Sequence, residues 1–279
     1  MWFIENYDEK ASLGLKVRKK LHEEQSKFQK IDIYETEFFG NLLTLDGLVM
    51  LTEKDEFVYH EMITHMPLCT IKNPERVLVI GGGDGGAVRE ILKHDSIKEV
   101  VMCEIDQRVT DLCRIYFPTT TCRLDDPRVK LHFEDGFKFM DGYEGYFDLI
   151  ITDSSDPVGP GVALFQEDYY RLVKKALKPG GIMVSQSESP WYFEDTMTSM
   201  TGAMAKVFRN VQTYIALVTL YPSGLWTMTA ASDSLSLLDF DEKRSAKIAE
   251  TCKYYNPEIH KGALALPNFV KKIVHNTVK

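Results

Sequence analysis

The sequence predicts an α/β protein: a Rossmann-like, doubly wound, mostly parallel sheet preceded by a small N-terminal β-strand domain. Three observations carry this reading. From residue 76 onward, short apolar runs alternate with helix-like stretches, the pattern of successive βαβ units. A glycine cluster, Gly81-Gly82-Gly83-Asp84-Gly85-Gly86, stands where the first of those runs meets its helix. Residues 1 to about 52 read instead as strands and turns. The boundary is therefore set after residue 54, with a β domain over 1–54 and a Rossmann-like domain over 55–279.

The elements follow in order. Gln29 to Thr36 alternates in character, and the runs Leu42–Leu45 and Leu48–Met50–Leu51 flank Asp46-Gly47, a strong hairpin signal. Asp55 to Leu68 has helical spacing. Val77–Ile80 enters the glycine cluster, and a helix to Lys93 follows. Val100–Cys103 is the second strand, with a helix from about Gln107 to Tyr116. Val129–His132 and Phe147–Ile151 are the third and fourth. A helix from Gln166 to Leu177 is expected to stop at Pro179-Gly180-Gly181, and the fifth strand to begin at Gly181. Val211 to Ser232, split at Pro222-Ser223-Gly224, reads as a final strand pair.

Composition bounds the function. The 279 residues are 44% hydrophobic and 27% charged, which argues against disorder or fibre. Lys+Arg 33 against Asp+Glu 41 gives −8, which argues against nucleic acid and anionic membranes as main partners and permits a cationic substrate. The start, MWFIENYDEK, lacks a basic stretch followed by an apolar core, so no secretory signal is expected, and no apolar run approaches a membrane span. Five scattered cysteines without a C-x-x-C fit reduced thiols, and a cytoplasmic location is the expectation.

The glycine cluster contains G-x-G-x-x-G at Gly81, Gly83 and Gly86, in the strand-loop-helix context that the fingerprint requires. Glu104 ends the second strand 21 residues after Gly83, where an acidic side chain accepts from a ribose hydroxyl. A nucleoside ligand is expected. Asp84 lies in the turn, where a dinucleotide would place its pyrophosphate; a carboxylate there repels phosphate and favours a cationic group. That points to a sulfonium nucleoside. Asp84 can alternatively serve as a helix cap.

Acidic residues recur at the carboxyl ends of the strands, where ligands of such sheets lie. They are Asp84, Glu104, Asp135 (before Gly136), Asp153 and, after strand five, Glu188 with Gln186. The densest signal is Asp153-Ser154-Ser155-Asp156-Pro157-Val158-Gly159-Pro160. Its two carboxylates, three residues apart in a proline-shaped loop, can converge on one pocket, and close like charges raise a pKa toward that of a base. A solvated Asx-turn loop and, for Asp135, a helix cap are the plainer readings.

Taken together, these residues resemble the polyamine aminopropyltransferases of the spermidine synthase family. The matching segments are QSKFQ at 25–29, DEFVYHEM at 55–62, GGGDGG at 81–86, CEID at 103–106, EDG at 134–136, DSSDPVGP at 153–160 and YPSG at 221–224, in family order over residues 1–232. The last 45 or so residues carry little that matches. The resemblance implies a methyltransferase-like fold, a decarboxylated S-adenosylmethionine co-substrate, a diamine acceptor such as putrescine, no prosthetic group or metal, and a homodimer or homotetramer. It implies that Gln29, Glu104, Asp135, Gly136 and Pro160 hold adenosine, and that Asp84 takes the aminopropyl ammonium. Tyr59, His60, Asp156, Tyr221 and, more weakly, Gln186 would line the diamine channel, with Asp153 as the base. His60 stands where some members, chiefly eukaryotic, carry Gln, which leans toward the bacterial branch. A methyltransferase on a related fold and a non-catalytic polyamine or nucleoside sensor remain as alternatives.

His60-Glu61-Met62-Ile63-Thr64-His65 is one residue too long for H-E-x-x-H, which places its two imidazoles about 140° apart on a helix. No nucleophile elbow is present.

Overall fold

The computed structural model describes residues 1–7, 11–154 and 163–277. The N-terminal part is a five-stranded antiparallel sheet in sequential order: β1 (Trp2–Tyr7), β2 (Ala11–Gln25), β3 (Lys30–Thr36), β4 (Asn41–Leu45) and β5 (Leu48–Thr52). The β4–β5 turn is the one the Asp-Gly pair predicts: Asp46 and Gly47 both take positive φ, 51° and 84°, as a type I′ turn requires. Ile31, Ile33, Leu43 and Leu51 pack against Val109, Leu112, Cys113 and Phe117. This apolar seam holds the small sheet onto the helix that follows the second strand of the larger one.

The larger sheet has seven strands: β6 (Arg76–Gly81), β7 (Glu99–Glu104), β8 (Val129–Phe133), β9 (Phe147–Asp153), β10 (Leu177–Gln186), β11 (Asn210–Leu217) and β12 (Leu225–Ser232). Their order is β11-β12-β10-β9-β6-β7-β8. The five strands β8, β7, β6, β9 and β10 pair in parallel, and β12 and β11 close the edge antiparallel. The chain progresses outward from β6 to β7 and β8 in one direction and from β9 to β10 in the other, beyond which lie β12 and then β11. The switch point, where open α/β sheets bind their ligands, therefore lies at the carboxyl ends of β6 and β9. Apolar β-branched side chains such as Val77, Val79, Val100, Ile150 and Ile151 are fully or almost fully buried, as strands covered on both faces demand.

Helix α1 (Glu56–Thr70) packs on the larger sheet beside α2 and α8 and is buried on nearly every side, so it shows no clean amphipathic stripe. Helices α2 (Gly86–Ile91), α3 (Gln107–Tyr116), α4 (Pro118–Thr121), α5 (Gly136–Met140) and α6 (Glu167–Ala176) cover the parallel strands. α7 (Glu194–Val207) and the C-terminal α8 (Glu242–Ala249), α9 (Pro257–Ala263) and α10 (Asn268–Ile273) are elements the sequence reading did not delimit. No described helix is long and apolar enough to cross a membrane.

One junction differs from expectation. α6 ends at Ala176 because Leu177 turns extended (ψ 141°), not because of the glycines. Lys178-Pro179-Gly180-Gly181 instead belongs to β10, whose pairing with β9 jumps from Leu177↔Phe147 to Ile182↔Leu149. The Pro-Gly-Gly run is a bulge within the strand, with Gly180 at φ 79° absorbing the extra residues.

Candidate active site

At the switch point β6 and β9 end side by side, with Gly81 paired to Asp153. Gly81 has φ 82°, and a Cβ there would lie 2.1 Å from the Asp153 carbonyl oxygen, so only glycine lets the loop turn at this strand. The Gly82 amide then donates to that carbonyl at 2.9 Å. The loop and Asp153 are thus set by one backbone arrangement.

Asp153 Oδ1 accepts from the Tyr59 hydroxyl at 2.7 Å, whereas Oδ2 is buried with no hydrogen-bond partner among the described residues. Burial, reinforced by the negative Asp84, pushes the Asp153 carboxyl up to about 6; His60 and the Tyr59 bond oppose the shift. Tyr59 is itself held well above an ordinary phenol by burial and by Asp153, so it stays a donor.

Asp84 does two things. Its Oδ1 accepts from the Gly86 amide at 2.7 Å, capping the start of α2, and lies 3.1 Å from His60 Nε2. His60 Nδ1 lies 2.6 Å from Glu56 Oε2. A ring with an ionised carboxylate at each nitrogen must donate from both, so His60 is an imidazolium. Burial works against that charge, but Asp84 and Glu56 outweigh it and hold the pKa well above the usual imidazole value. Burial likewise opposes ionisation of Asp84, and His60 and the Gly86 amide win, leaving its pKa lowered. A Cβ on Gly86 would fall 2.3 Å from the imidazole, so the third glycine of the fingerprint makes room for His60.

The network continues where sequence reasoning did not follow it. Both guanidinium NH groups of Arg89 donate to Glu56 at 2.9 Å, and its Nε donates to Glu90 at 2.8 Å. Glu90 meets His65 Nε2 at 3.0 Å, and His65 Nδ1 meets His94 at 3.0 Å. The i, i+4 spacing of Glu56 and His60 is a readable signal; nothing local points to Arg89, which arrives from α2. Two groups among the described residues bring metal-capable atoms within 4.8 Å of one another: His60, Asp84 and Asp153, and His65, Glu90 and Cys252. In the first, one imidazolium faces two carboxylates, a set that also suits an alkyl ammonium.

On the β7 side, Glu104 is buried, accepts from the amides of Gly83 (3.2 Å) and Asp106 (2.9 Å), and is pushed up to about 7 by burial. Asp106 caps α3 and also receives Ser26 Oγ at 2.6 Å and Gln29 Nε2 at 3.1 Å, so the N-terminal sheet delivers Gln29 to the end of β7. Asp135 caps α5 through the Phe137 amide at 3.0 Å. The plainer cap reading of Asp135 therefore holds alongside any ligand role. Gly136 packs so closely on β6 that a Cβ would lie 2.7 Å from Ile80.

On the other side a slot is lined by Val49, Leu51, Asp55, Tyr59, Leu220 and Tyr221. The Tyr221 hydroxyl donates to the Met50 carbonyl at 2.6 Å, and its ring lies 5.8 Å from Tyr59 and 4.7 Å from Trp226. Trp226 is therefore a wall of this region, whereas Trp2 is 63% exposed on β1. Gln186 Oε1 accepts from the Glu188 amide at 3.0 Å and Nε2 donates to the Glu188 carboxylate at 3.2 Å, with Glu188 at φ 70°. The expected site residues Asp156 and Pro160 lie outside the described residues.

Known proteins share this sequence and fold. The spermine/spermidine synthase domain model matches residues 56–243, and the spermidine synthase tetramerisation domain model matches 1–53. The chain is 46% identical to a polyamine aminopropyltransferase of Clostridium perfringens (99% of this chain, 98% of that one). It is 44% identical to a polyamine aminopropyltransferase of Bacillus subtilis (98% and 99%). A crystal structure of spermidine synthase in complex with the transition-state analogue AdoDATO superposes with a TM-score of 0.96 at 40% identity, covering 98% of this chain and 94% of that one. Spermidine synthase from Thermotoga maritima superposes at 0.93 and 39% identity, with the same coverage. The chain belongs to the spermine/spermidine synthase family, and it is a transferase of the polyamine aminopropyltransferase type.

Proposed function

We propose that the chain transfers the aminopropyl group of decarboxylated S-adenosylmethionine to putrescine, giving spermidine and methylthioadenosine, with Asp153 as general base. The single observation that carries this is the buried, unpartnered Asp153 Oδ2 at the switch point, beside an acidic, ammonium-suited cluster. Ordinary S-adenosylmethionine would bring a carboxylate against Asp84; the decarboxylated form brings only an ammonium, so Asp84 selects between them. Glu104, Gln29, Asp135 and Gly136, grouped at the ends of β7 and β8, are the residues we assign to adenosine, together with Pro160. Tyr59, His60, Gln186 and Tyr221 are assigned to the diamine, together with Asp156.

The acceptor arrives as a diammonium and one nitrogen must lose a proton to expose a lone pair. Asp153 takes that proton. The lone pair then attacks the methylene carbon bonded to the sulfonium, the C–S electron pair returns to sulfur, and neutral methylthioadenosine leaves. An alkyl ammonium near pKa 10.4 gives its proton to a carboxyl of about 6 at a cost of roughly 6 kcal/mol. Alignment of nitrogen with the C–S bond can offset about 7–11 kcal/mol of the barrier.

We further place the domain division after residue 54 and the enzyme in the cytoplasm. A homodimer or homotetramer built through the N-terminal sheet is supported by the tetramerisation-domain match and by Trp2 and Ile4, exposed on edge strand β1. The test of function is product identification by mass spectrometry, with decarboxylated S-adenosylmethionine offered alongside a panel of diamines. Methylthioadenosine and spermidine are expected. S-adenosylhomocysteine formed from intact S-adenosylmethionine would show a methyltransferase, and binding without turnover a sensor.

A further inference from the structure

Glu56 opens α1, where an acidic side chain ordinarily stays in water and favours the helix N-terminus by its charge alone. Here it is buried and turns along the helix. Its Oε2 lies 2.6 Å from His60 Nδ1, one turn later, and each of its oxygens accepts from the Arg89 guanidinium at 2.9 Å. Arg89 arrives from α2 and is itself fixed by Glu90 at 2.8 Å. Both protons of the imidazolium are therefore aimed, one at Glu56 and the other at Asp84 Oδ1, 3.1 Å away. What faces the ring makes its charge matter. One nitrogen of His60 and one oxygen each of Asp84 and Asp153 lie within 4.8 Å of one another. Tyr59 stands beside the ring, with centroids 5.5 Å apart, and donates to Asp153, while Glu104 is a further negative neighbour of Asp153. Two buried carboxylates this close resist being ionised together unless a cation faces both.

Resting on the assignment of Asp153 as base given above, we propose that Glu56 is a positioning residue for the transfer: clamped by Arg89, it fixes the ring and the charge of His60, and that cation keeps Asp84 and Asp153 ionised side by side. One carboxylate is then free to hold the donor's ammonium and the other to take the acceptor's proton. Burial and Asp84 raise the Asp153 carboxyl to about 6, and His60 is the cation that opposes them. Glu56 acts on the base through the ring. Without its carboxylate, Nδ1 would face an amide, and the ring would no longer be required to carry a proton on both nitrogens. Arg89 supplies the orientation, because a guanidinium fork that holds both oxygens leaves the carboxylate one position from which to meet Nδ1.

The experiment compares wild type with Glu56→Gln, His60→Gln and the double variant. The His60 ring nitrogens are followed by NMR, and the acid limb of kcat/KM by release of methylthioadenosine with putrescine as acceptor. In wild type both ring nitrogens should stay protonated up to about pH 8. In Glu56→Gln the neutral ring should appear between about pH 6 and pH 8. The acid limb should move up by about one unit, the lower end of what an opposite charge does to a carboxyl at such a distance. In the double variant the limb should sit where His60→Gln alone puts it, since two residues that act through one contact are not additive. An unmoved limb overturns the proposal. So does a limb that moves while His60 stays charged, or one that moves further in the double variant, because Glu56 would then be merely structural. If Glu56→Gln does not fold, Glu56→Asp serves: its carboxylate withdraws from Nδ1 by one methylene, and both readouts should move in the same direction by a smaller amount. No movement overturns the proposal. A wild-type enzyme that releases no methylthioadenosine with any diamine would instead sink the functional reading, and the NMR measurement, which needs no turnover, keeps the two failures apart.

Discussion

Replacing Asp153 by Asn separates chemistry from stability, because the same burial that makes the carboxyl a useful base makes its charge expensive. The amide oxygen can still accept from Tyr59, which the native carboxylate does at 2.7 Å, so the geometry survives while the proton acceptor is lost. A positioned general base contributes roughly 10²–10⁴-fold, and kcat should fall by that much while donor affinity, measured by calorimetry, stays near wild type. The folded-state pKa is raised to about 6 from an ordinary aspartate near 3.9. A raised pKa contributes stability that is present below the unfolded value and lost as pH rises through the folded one. Relative to Asn, wild type is therefore penalised at pH 7–8, by up to about 3 kcal/mol for a shift of about two units, and the penalty fades between about pH 6 and pH 4. Urea denaturation at pH 8 and at pH 4.5 reads this directly: the variant should be the more stable protein at pH 8, and the gap should narrow at pH 4.5. A kcat within about 10-fold of wild type removes the base assignment. A stability gap that does not change with pH refutes the claim that Asp153 is ionised against its burial.

Tyr59→Phe deletes the bond that holds the Asp153 pKa down, so the acid limb of the kcat/KM profile should move above about 6; an unmoved limb means that Tyr59 does not tune the base. Asp84→Asn removes the like charge that raises the same group, so the limb should move below about 6. The preference for decarboxylated over intact S-adenosylmethionine, read as a ratio of dissociation constants, should narrow with it. An unmoved ratio would dismiss donor selection by Asp84. Arg89→Met leaves Glu56 and Glu90 buried without their guanidinium, and should cost about 3–5 kcal/mol in urea unfolding at pH 7; a loss below about 1 kcal/mol would show the ion pairs to be dispensable.

The alternation of strands and helices, the Asp46-Gly47 hairpin and the glycine fingerprint were legible in the chain because each is a local rule: period, turn chemistry and backbone freedom act over a few neighbouring residues. So was the assignment of Asp84, Glu104 and Asp153 to strand ends, since a parallel sheet puts every such end on one edge. The Pro-Gly-Gly run misled because a bulge inside a strand and a helix stop use the same residues. Arg89 was invisible for another reason: its partner Glu56 lies 33 residues away on a helix buried on nearly every side, where no stripe marks which face meets which neighbour. Asp55 illustrates the remaining limit. By its place ahead of a helix it is a cap, and only the packed slot shows that its carboxylate turns to Thr52 instead. Sequence alone thus determined the fold and which acidic residues gather at one sheet edge. Tertiary structure decided the charge each one carries, because desolvation and the distance to another buried group set a pKa, and neither is a property of the local chain.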